Sequence, residues 1–289
     1  MSQTVGVRQL LDAAAERLAA AGVSSPGHDA TTLLAHVLDR PASGLLAADP
    51  ALPETALARF AALLAERADR VPLQHLTGVA GFRYLDLAVG PGVFVPRPET
   101  ELLAGWAIEA LAGHRAPAVA DLCCGCGAIA LALANELPRA SVWAVELDPM
   151  ALAWARRNAD VRAAAGDRPI DLVGGDAADP AVLADLDGTL TAVVMNPPYV
   201  PDDAIVAREV AEHDPPLALW GGPDGLDVVR RLLHRAAALL EPGGLLGTEH
   251  ADLQGESMPA LVAAHGAFVD VVDHRDLNDR PRFTTARRR

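Results

Sequence analysis

The chain has 289 residues, 51% hydrophobic and 21% charged, which suffices for one large domain or two smaller ones with packed cores and excludes disorder as the general state. Its formal net charge is −14; a protein that grips duplex nucleic acid by its phosphates shows a basic face, so this balance favours a protein or small-molecule substrate over direct nucleic-acid contact. No apolar run reaches the roughly 18–20 residues of a membrane span, and the opening residues carry scattered charges unlike a signal peptide. The expectation is a cytoplasmic protein that does not engage a membrane. Three crowded cysteines, Cys123, Cys124 and Cys126, cannot build a disulfide framework and fit the same reducing compartment.

In chain order, the first seventy or so residues read as helices. Leu10, Leu11, Ala14 and Leu18 fall at helical spacing, with Gly22 as the stop. Ser25-Pro26 reads as an N-cap and a first-turn proline ahead of Leu33, Leu34, Val37 and Leu38. Leu57, Phe60, Leu63 and Leu64 form a third apolar face after Pro53. This predicts a small helical domain over residues 1–74 with no catalytic motif. Residues 75–95 carry several glycines and two alternating runs, 82–87 and 89–95, which predict a β-hairpin linking two domains. Over 96–289, strand and helix patterns alternate. Strands are expected at 119–122, 142–146, 170–173, 192–195, 245–249 and 268–272, with helices such as 128–137, 149–159 and 226–240 between them. Alternation of this kind predicts a doubly wound, Rossmann-like α/β sheet. Arg287-Arg288-Arg289 reads as a solvated tail.

The first chemical motif is Asp121-Leu-Cys-Cys-Gly125-Cys-Gly127, which follows an apolar strand and opens an apolar helix. Glycines there allow a tight turn and close approach of a ligand to the backbone. Glu146 ends the next strand about 20 residues on, where an acid binds ribose hydroxyls. Gly175-Asp176-Ala177 follows the third strand, where an adenine edge can be held. A nicotinamide or flavin site would instead want a complete G-x-G-x-x-G, and this turn continues Ala-Ile-Ala after Gly127. A tight βα turn with no ligand is the plain alternative. Three cysteines in one turn, without histidines at finger spacing, do not make a structural zinc site, which takes four ligands in separated pairs. No metal is expected, and the cysteines read as small side chains beside a cofactor.

The second motif, Asn196-Pro197-Pro198-Tyr199, directly follows the strand expected at 192–195. Ligands in open α/β sheets bind outside the carboxyl ends of strands. The prolines stiffen the backbone and fix the asparagine. The chemistry this suits is a planar NH₂ group, whose nitrogen is a poor nucleophile because its lone pair is delocalised. Its two N–H bonds can donate to the Asn196 side-chain oxygen and the Pro197 carbonyl, turning the lone pair outward, while Tyr199 offers an aromatic face. This is catalysis by positioning and by stabilising developing positive charge. A proline-rich turn without function would also read this way in isolation.

Together these motifs bring out a resemblance. Phe94-Val-Pro-Arg97-Pro-Glu99-Thr-Glu-Leu102, the turn at 121–127 and Asn196-Pro-Pro-Tyr199 resemble the release factor glutamine N5-methyltransferases (the PrmC/HemK family). His75-Leu-Thr-Gly78 with Phe82, Glu249-His250 and Asp276-Leu-Asn-Asp-Arg-Pro-Arg282 fit as well, so the likeness spans essentially the whole chain. It implies a class I methyltransferase domain using S-adenosyl-L-methionine (AdoMet), and as substrate the glutamine of the Gly-Gly-Gln loop of class I peptide chain release factors. It implies that Asp121, the loop Cys123, Cys124, Gly125, Cys126 and Gly127, then Glu146, Asp176, Ala177 and Asn196 contact AdoMet. Asn196 through Tyr199 would hold the glutamine amide, Phe94, Arg97 and Glu99 would lie near the substrate entrance, and the N-terminal helices would dock the release factor body. A monomer is expected. The chain departs from the family in its cysteines, where glycine, threonine or serine is usual, and in Ala177, where a larger residue is common. Asn-Pro-Pro-Tyr is shared with adenine-N6 nucleic-acid methyltransferases, but those need a recognition insertion and a basic groove. Another protein's glutamine remains a second possible target.

Overall fold

A computed structural model gives the protein's structure over residues 6–289; the first five residues of the expected N-terminal helical domain lie outside the described residues. The described residues form α1 (Val7–Ala20), α2 (Pro26–Leu38), α3 (Leu45–Ala48), α4 (Glu54–Ala68), α5 (Leu73–Thr77), β1 (Val79–Phe82), β2 (Leu85–Ala88), α6 (Thr100–Leu111), β3 (Ala118–Leu122), α7 (Ala128–Glu136), β4 (Ser141–Glu146), α8 (Pro149–Ala164), β5 (Asp171–Gly174), β6 (Leu190–Met195), α9 (Arg208–His213), α10 (Asp227–Leu239), β7 (Leu240–Glu249), α11 (Ser257–Ala264), β8 (Phe268–Arg275) and β9 (Pro281–Arg288). They separate into two compact units. The first takes the residues up to Val79 together with Val206–His213, and the second takes Ala80–Ile205 and Asp214–Arg289.

The first unit is helical. Leu11 and Leu18 of α1, Leu33 and Leu34 of α2, and Phe60 and Leu64 of α4 bury the three apolar faces visible in the sequence in one core. Pro26 opens α2 as its first-turn residue, but the Ser25 side chain makes no capping hydrogen bond, contrary to expectation. Beneath the helices lies a buried ion cluster. Arg67 donates from Nε to Asp29 Oδ2 at 2.7 Å and from Nη1 to Glu209 Oε2 at 2.8 Å, so α9, which comes from far along the chain, is fastened to this unit by charge.

The second unit is a seven-stranded sheet in the order β5-β4-β3-β6-β7-β9-β8. The pairs β4–β5, β3–β4, β3–β6 and β6–β7 are parallel, and β9 runs antiparallel to both β7 and β8. One face is covered by α6, α7, α8 and the hairpin residues, the other by α10 and α11, each with its own buried cluster. The chain leaves β3 toward β4 and β5, then returns to place β6 on the other side of β3. That reversal is the switch point at which open α/β sheets bind ligands, beyond the carboxyl ends of the strands.

Three expectations need correction. The hairpin is β1–β2, over Val79–Ala88, with Arg83 at positive φ in its turn. The run 89–95 is not a strand: Pro91 has no N–H for a ladder and Gly92 has φ 86°. Val89, Val93 and Val95 are buried nonetheless, so the alternation reports packing, not pairing. Arg287 and Arg288 are not a solvated tail. They belong to β9, and the Arg288 guanidinium donates to the carbonyls of Ala237 and Ala267.

Candidate active site

The turn after β3 is held mainly by backbone groups and carboxylates. The N–H groups of Cys123 and Cys124 both donate to the Val145 carbonyl, at 3.0 and 2.9 Å. Gly125 N–H donates to Glu146 Oε2 at 2.7 Å, and Asp148 N–H donates to Oε1 at 2.8 Å. Burial raises the Glu146 pKa against the pull of these two bonds. Cys123, Gly125 and Gly127 have φ of 70°, 58° and 87°, a run of left-handed backbone that glycine adopts most readily. A Cβ on Gly125 would meet nothing within 4 Å; the space above it is free for a ligand. Asp121, 1% exposed, accepts from Ala130 N–H at 3.0 Å through Oδ2, while Oδ1 has no partner. Burial, with Glu146 adding repulsion, pushes its pKa up to about 7.

The loop after β6 is held by residues far away in sequence. Val200 N–H donates to the Leu219 carbonyl and Gly221 N–H to the Val200 carbonyl, both at 2.8 Å. Gln254 Nε2 donates to the Tyr199 carbonyl at 3.0 Å. Gly221 and Gly225 press against this loop so closely that a Cβ would stand 2.7 Å from the Pro198 oxygen and 2.2 Å from the Tyr199 oxygen. Asn196 Nδ2 donates to Thr100 Oγ1 at 3.2 Å, which leaves Oδ1 as the open acceptor. The Tyr199 hydroxyl donates to Glu249 Oε1 at 3.0 Å. Burial raises the Tyr199 pKa, with the Glu249 charge acting in the same direction.

The two loops share one cleft of about 1200 Å³, its open mouth included. Phe94, Cys123, Cys124, Gly125, Cys126, Glu146, Asp176, Ala177, Asn196, Pro198 and Tyr199 line it. Asp121, Gly127, Pro197, Arg97 and Glu99 do not. Asp121 and Gly127 shape the turn from behind. Arg97 lies over the Phe94 ring at 4.6 Å and donates to Asp214 at 2.7 Å, so it braces a lining residue. Glu99 caps α6. Asp176 accepts from Ala178 N–H at 2.9 Å and from Arg231 at 2.5 Å, and these bonds lower its pKa. The cysteines pack into the clusters beneath the turn as well as lining the cleft. Burial pushes the Cys126 thiol up to about 12 and raises the other two thiols. Protonated thiols are poor nucleophiles. Among the described residues no group of three or more His, Cys, Asp or Glu is placed to hold a metal ion.

Sequence reasoning missed Thr100, Leu147, Leu217 and Leu219, which also line the cleft. Leu147 had a usable signal, an apolar residue directly after the strand-ending acid. Leu217 and Leu219 follow Pro215-Pro216, a segment whose spacing matches no motif. Nor did it single out the Gly221-Gly222-Pro-Asp-Gly225 run, though glycines packed against a rigid loop are what close backbone approach requires.

Comparison with known proteins agrees with this architecture. The PrmC N-terminal domain model matches residues 9–78 and the methyltransferase small domain model matches residues 91–213. The chain is 50% identical over 280 residues to a release factor glutamine methyltransferase of Streptomyces coelicolor, covering 95% of each chain. It is 47% identical over 282 residues to one of Mycolicibacterium smegmatis, covering 98% of each. Among solved structures, the T. thermophilus 16S rRNA methyltransferase RsmC in complex with AdoMet and guanosine aligns with a TM-score of 0.53 at 21% identity, over 73% of this chain and 50% of that one; this is a likeness of fold. Among the described residues no helix is long and apolar enough to cross a membrane.

Proposed function

The chain belongs to the family of release factor glutamine methyltransferases, and on that premise we propose that it transfers a methyl group from AdoMet to the side-chain amide nitrogen of the glutamine in the Gly-Gly-Gln loop of class I release factors. The observation that carries the reading is the Asn196–Thr100 hydrogen bond, which presents Oδ1 of Asn196 as an acceptor beside the cleft.

The residues present fit the cofactor. Gly125 leaves open space where a larger side chain would stand, the Glu146 carboxylate lies on the wall, and Leu147 is an apolar side chain left 54% exposed beside it. When bound, AdoMet supplies an electrophilic methyl group on a positively charged sulfur. Glu146 accepts the ribose hydroxyls, each of its oxygens retaining a lone pair beyond the one used within the chain. Leu147 and Ala177 offer apolar contact to the base, and Asp176 an acceptor at its edge. Asp121 fixes the start of α7 and with it the turn.

Asn196 on the cleft wall accepts one N–H of the glutamine amide through Oδ1, and the other falls to the adjacent Pro197 carbonyl, although Pro197 itself does not line the cleft. This turns its nitrogen lone pair toward the methyl donor and stabilises the positive charge that develops on that nitrogen. The Tyr199 ring supports the planar group. No strong base is required, because the methylated nitrogen sheds its proton readily to a hydrogen-bonded acceptor and on to water. The helical unit docks the body of the release factor, and the enzyme acts as a cytoplasmic monomer.

The test is transfer of labelled methyl from AdoMet to purified release factors, with mass spectrometry of the loop. One added methyl on the loop glutamine, lost when that glutamine is changed to alanine, is the expected result. Transfer to DNA adenine with none to any release factor would overturn the reading.

A further inference from the structure

An amide side chain has two ends of nearly equal shape, one that accepts hydrogen bonds and one that donates them. The reading above requires the accepting end of Asn196 to face the substrate. With the side chain flipped, two NH₂ groups would meet and neither could accept. Something in the protein must therefore decide the flip, and Asn196 cannot do so alone.

The deciding partner is Thr100, whose Oγ1 takes the hydrogen bond from Asn196 Nδ2 at 3.2 Å. A hydroxyl has one proton, and it cannot be directed at Nδ2 while Oγ1 accepts from that atom. Thr100 is 3% exposed, so little of it meets water in spite of its place on the cleft wall. Glu249, the last residue of β7 and 2% exposed, is the complementary group. Its Oε1 accepts from the Tyr199 hydroxyl at 3.0 Å, and its Oε2 is buried with no donor at full hydrogen-bond geometry. The Thr100 hydroxyl bears on the same carboxylate. The Thr100 hydroxyl and this unpartnered oxygen are thus the two groups left to match, and a carboxylate, when ionised, only accepts. Burial raises the Glu249 pKa to about 7, with the Thr100 and Tyr199 hydroxyls and the Arg282 charge pulling the other way; Arg282 on β9 has its own Nη2 tied to Asp276 Oδ2 at 3.0 Å. The Arg282 carbonyl accepts from His250 N–H at 2.9 Å, which locks this strand beside the carboxylate.

We propose that Glu249 is a positioning residue that draws the hydroxyl protons of Thr100 and Tyr199 to itself, and through Thr100 holds Asn196 with its carbonyl, not its NH₂, toward the glutamine amide. This rests on the reading of Asn196 as the acceptor of the substrate amide. Glu249 touches neither substrate nor cofactor. Its effect is on the orientation of a group that does, so it belongs to turnover and not to capture of either reactant.

The experiment uses the full chain with a release factor as substrate and separates kcat, KM for the release factor, and AdoMet affinity by calorimetry. Thr100→Val keeps the shape and removes the hydroxyl; kcat should fall about 10- to 100-fold, as for loss of one positioned transition-state hydrogen bond, with KM and AdoMet affinity within about twofold. Thr100→Ser restores the hydroxyl and should return kcat to within about threefold of the unaltered enzyme. Glu249→Gln places an NH₂ where only acceptors stood, and should lower kcat as much as Thr100→Val. The double variant should be little worse than either single one, because both break the same relay. A kcat within twofold of normal in Glu249→Gln, or a Thr100→Ser variant as impaired as Thr100→Val, overturns the proposal. So does a loss that appears in AdoMet affinity instead of kcat. Should Thr100→Val not fold, Glu249→Gln and Thr100→Ser decide the matter between them. Asn196→Ala in the same series keeps the two readings apart. Normal turnover there removes the acceptor role of Asn196 itself, whereas a dead Asn196→Ala beside a normal Glu249→Gln removes only the relay.

Discussion

The loops after β3 and β6 leave adjacent, parallel strands of one sheet and line the same cleft, yet they are built on different principles. The first is held largely by one element, the end of the neighbouring strand β4: its N–H groups bond the Val145 carbonyl and the Glu146 carboxylate. The second is clamped from outside by Leu219, Gly221, Gly225, Gln254 and Thr100, residues between 19 and 96 positions away from those they contact. A ligand site that needs only a bend in the backbone can be encoded in seven residues and the end of one neighbouring strand. A site that must hold an amide at a set angle needs walls, and the walls come from wherever the fold can bring them.

Four substitutions would break or sharpen that contrast, from the largest effect to the smallest. Gly225→Ala attacks the clamp. Its Cβ would stand 2.2 Å from the Tyr199 oxygen, at φ 75°, so steric overlap and backbone strain combine. A loss of about 3 kcal/mol or more of stability is expected from denaturant unfolding, together with near-complete loss of methyl transfer. A variant of normal stability and activity would show that the clamp is not needed. Asn196→Ala removes the acceptor and leaves the clamp intact. Turnover should drop on the order of 10²- to 10³-fold, with AdoMet binding close to normal; near-normal turnover in a single-turnover assay would sink the amide-holding role.

Glu146→Ala acts on the first loop. It removes the acceptor of Gly125 N–H as well as the proposed ribose contacts, and AdoMet binding should weaken by about 1.5–3 kcal/mol in calorimetry. Unchanged affinity would take Glu146 out of the site. Gly125→Ala is the mildest and the most instructive beside Gly225→Ala. Its Cβ meets nothing within 4 Å and only φ 58° resists it, so stability should fall by about 1 kcal/mol, while the methyl projects into the cofactor's space. Equal destabilisation by the two alanines would erase the distinction between a turn and a clamp.

The same contrast explains what was legible from the sequence. The turn at 121–127 and Glu146 could be read because their spacing along the chain reflects their spacing in space. The strands expected at 119–122, 142–146 and 192–195 were found close to their limits, since central parallel strands buried on both faces carry long apolar runs. Strand β9 went unread because Pro281-Arg-Phe-Thr-Thr-Ala-Arg-Arg288 has a polar composition, and its Thr284, Thr285 and Ala286 are buried by pairing with β7 and β8. Thr100 escaped notice because a threonine opening a helix is an ordinary feature. Only the fold, by setting it against Asn196 from 96 residues away, gives its hydroxyl a task.

The placement of β9 between β7 and β8 also bears on how the protein assembles. Until β9 arrives, β7 is an edge of the sheet, with Leu245, Leu246 and Gly247 offering unpaired backbone groups in an apolar setting, the kind of edge on which chains stick together. Its partner in register lies about 40 residues along the chain, Leu245 opposite Arg287, so closing that loop costs entropy before any pairing is gained. The insertion is therefore expected to be a late and slow event, and Glu249, at the end of β7 opposite Phe283, takes up its place only when it is complete. Pulse-labelled hydrogen exchange during refolding should show the amides of β7 that face β9 becoming protected together with those of β9, and later than those of β3 and β4. The residues that order the chemistry would then be among the last to be set, and a chaperone that shields the β7 edge would raise the yield of active enzyme more than it raises the yield of folded sheet.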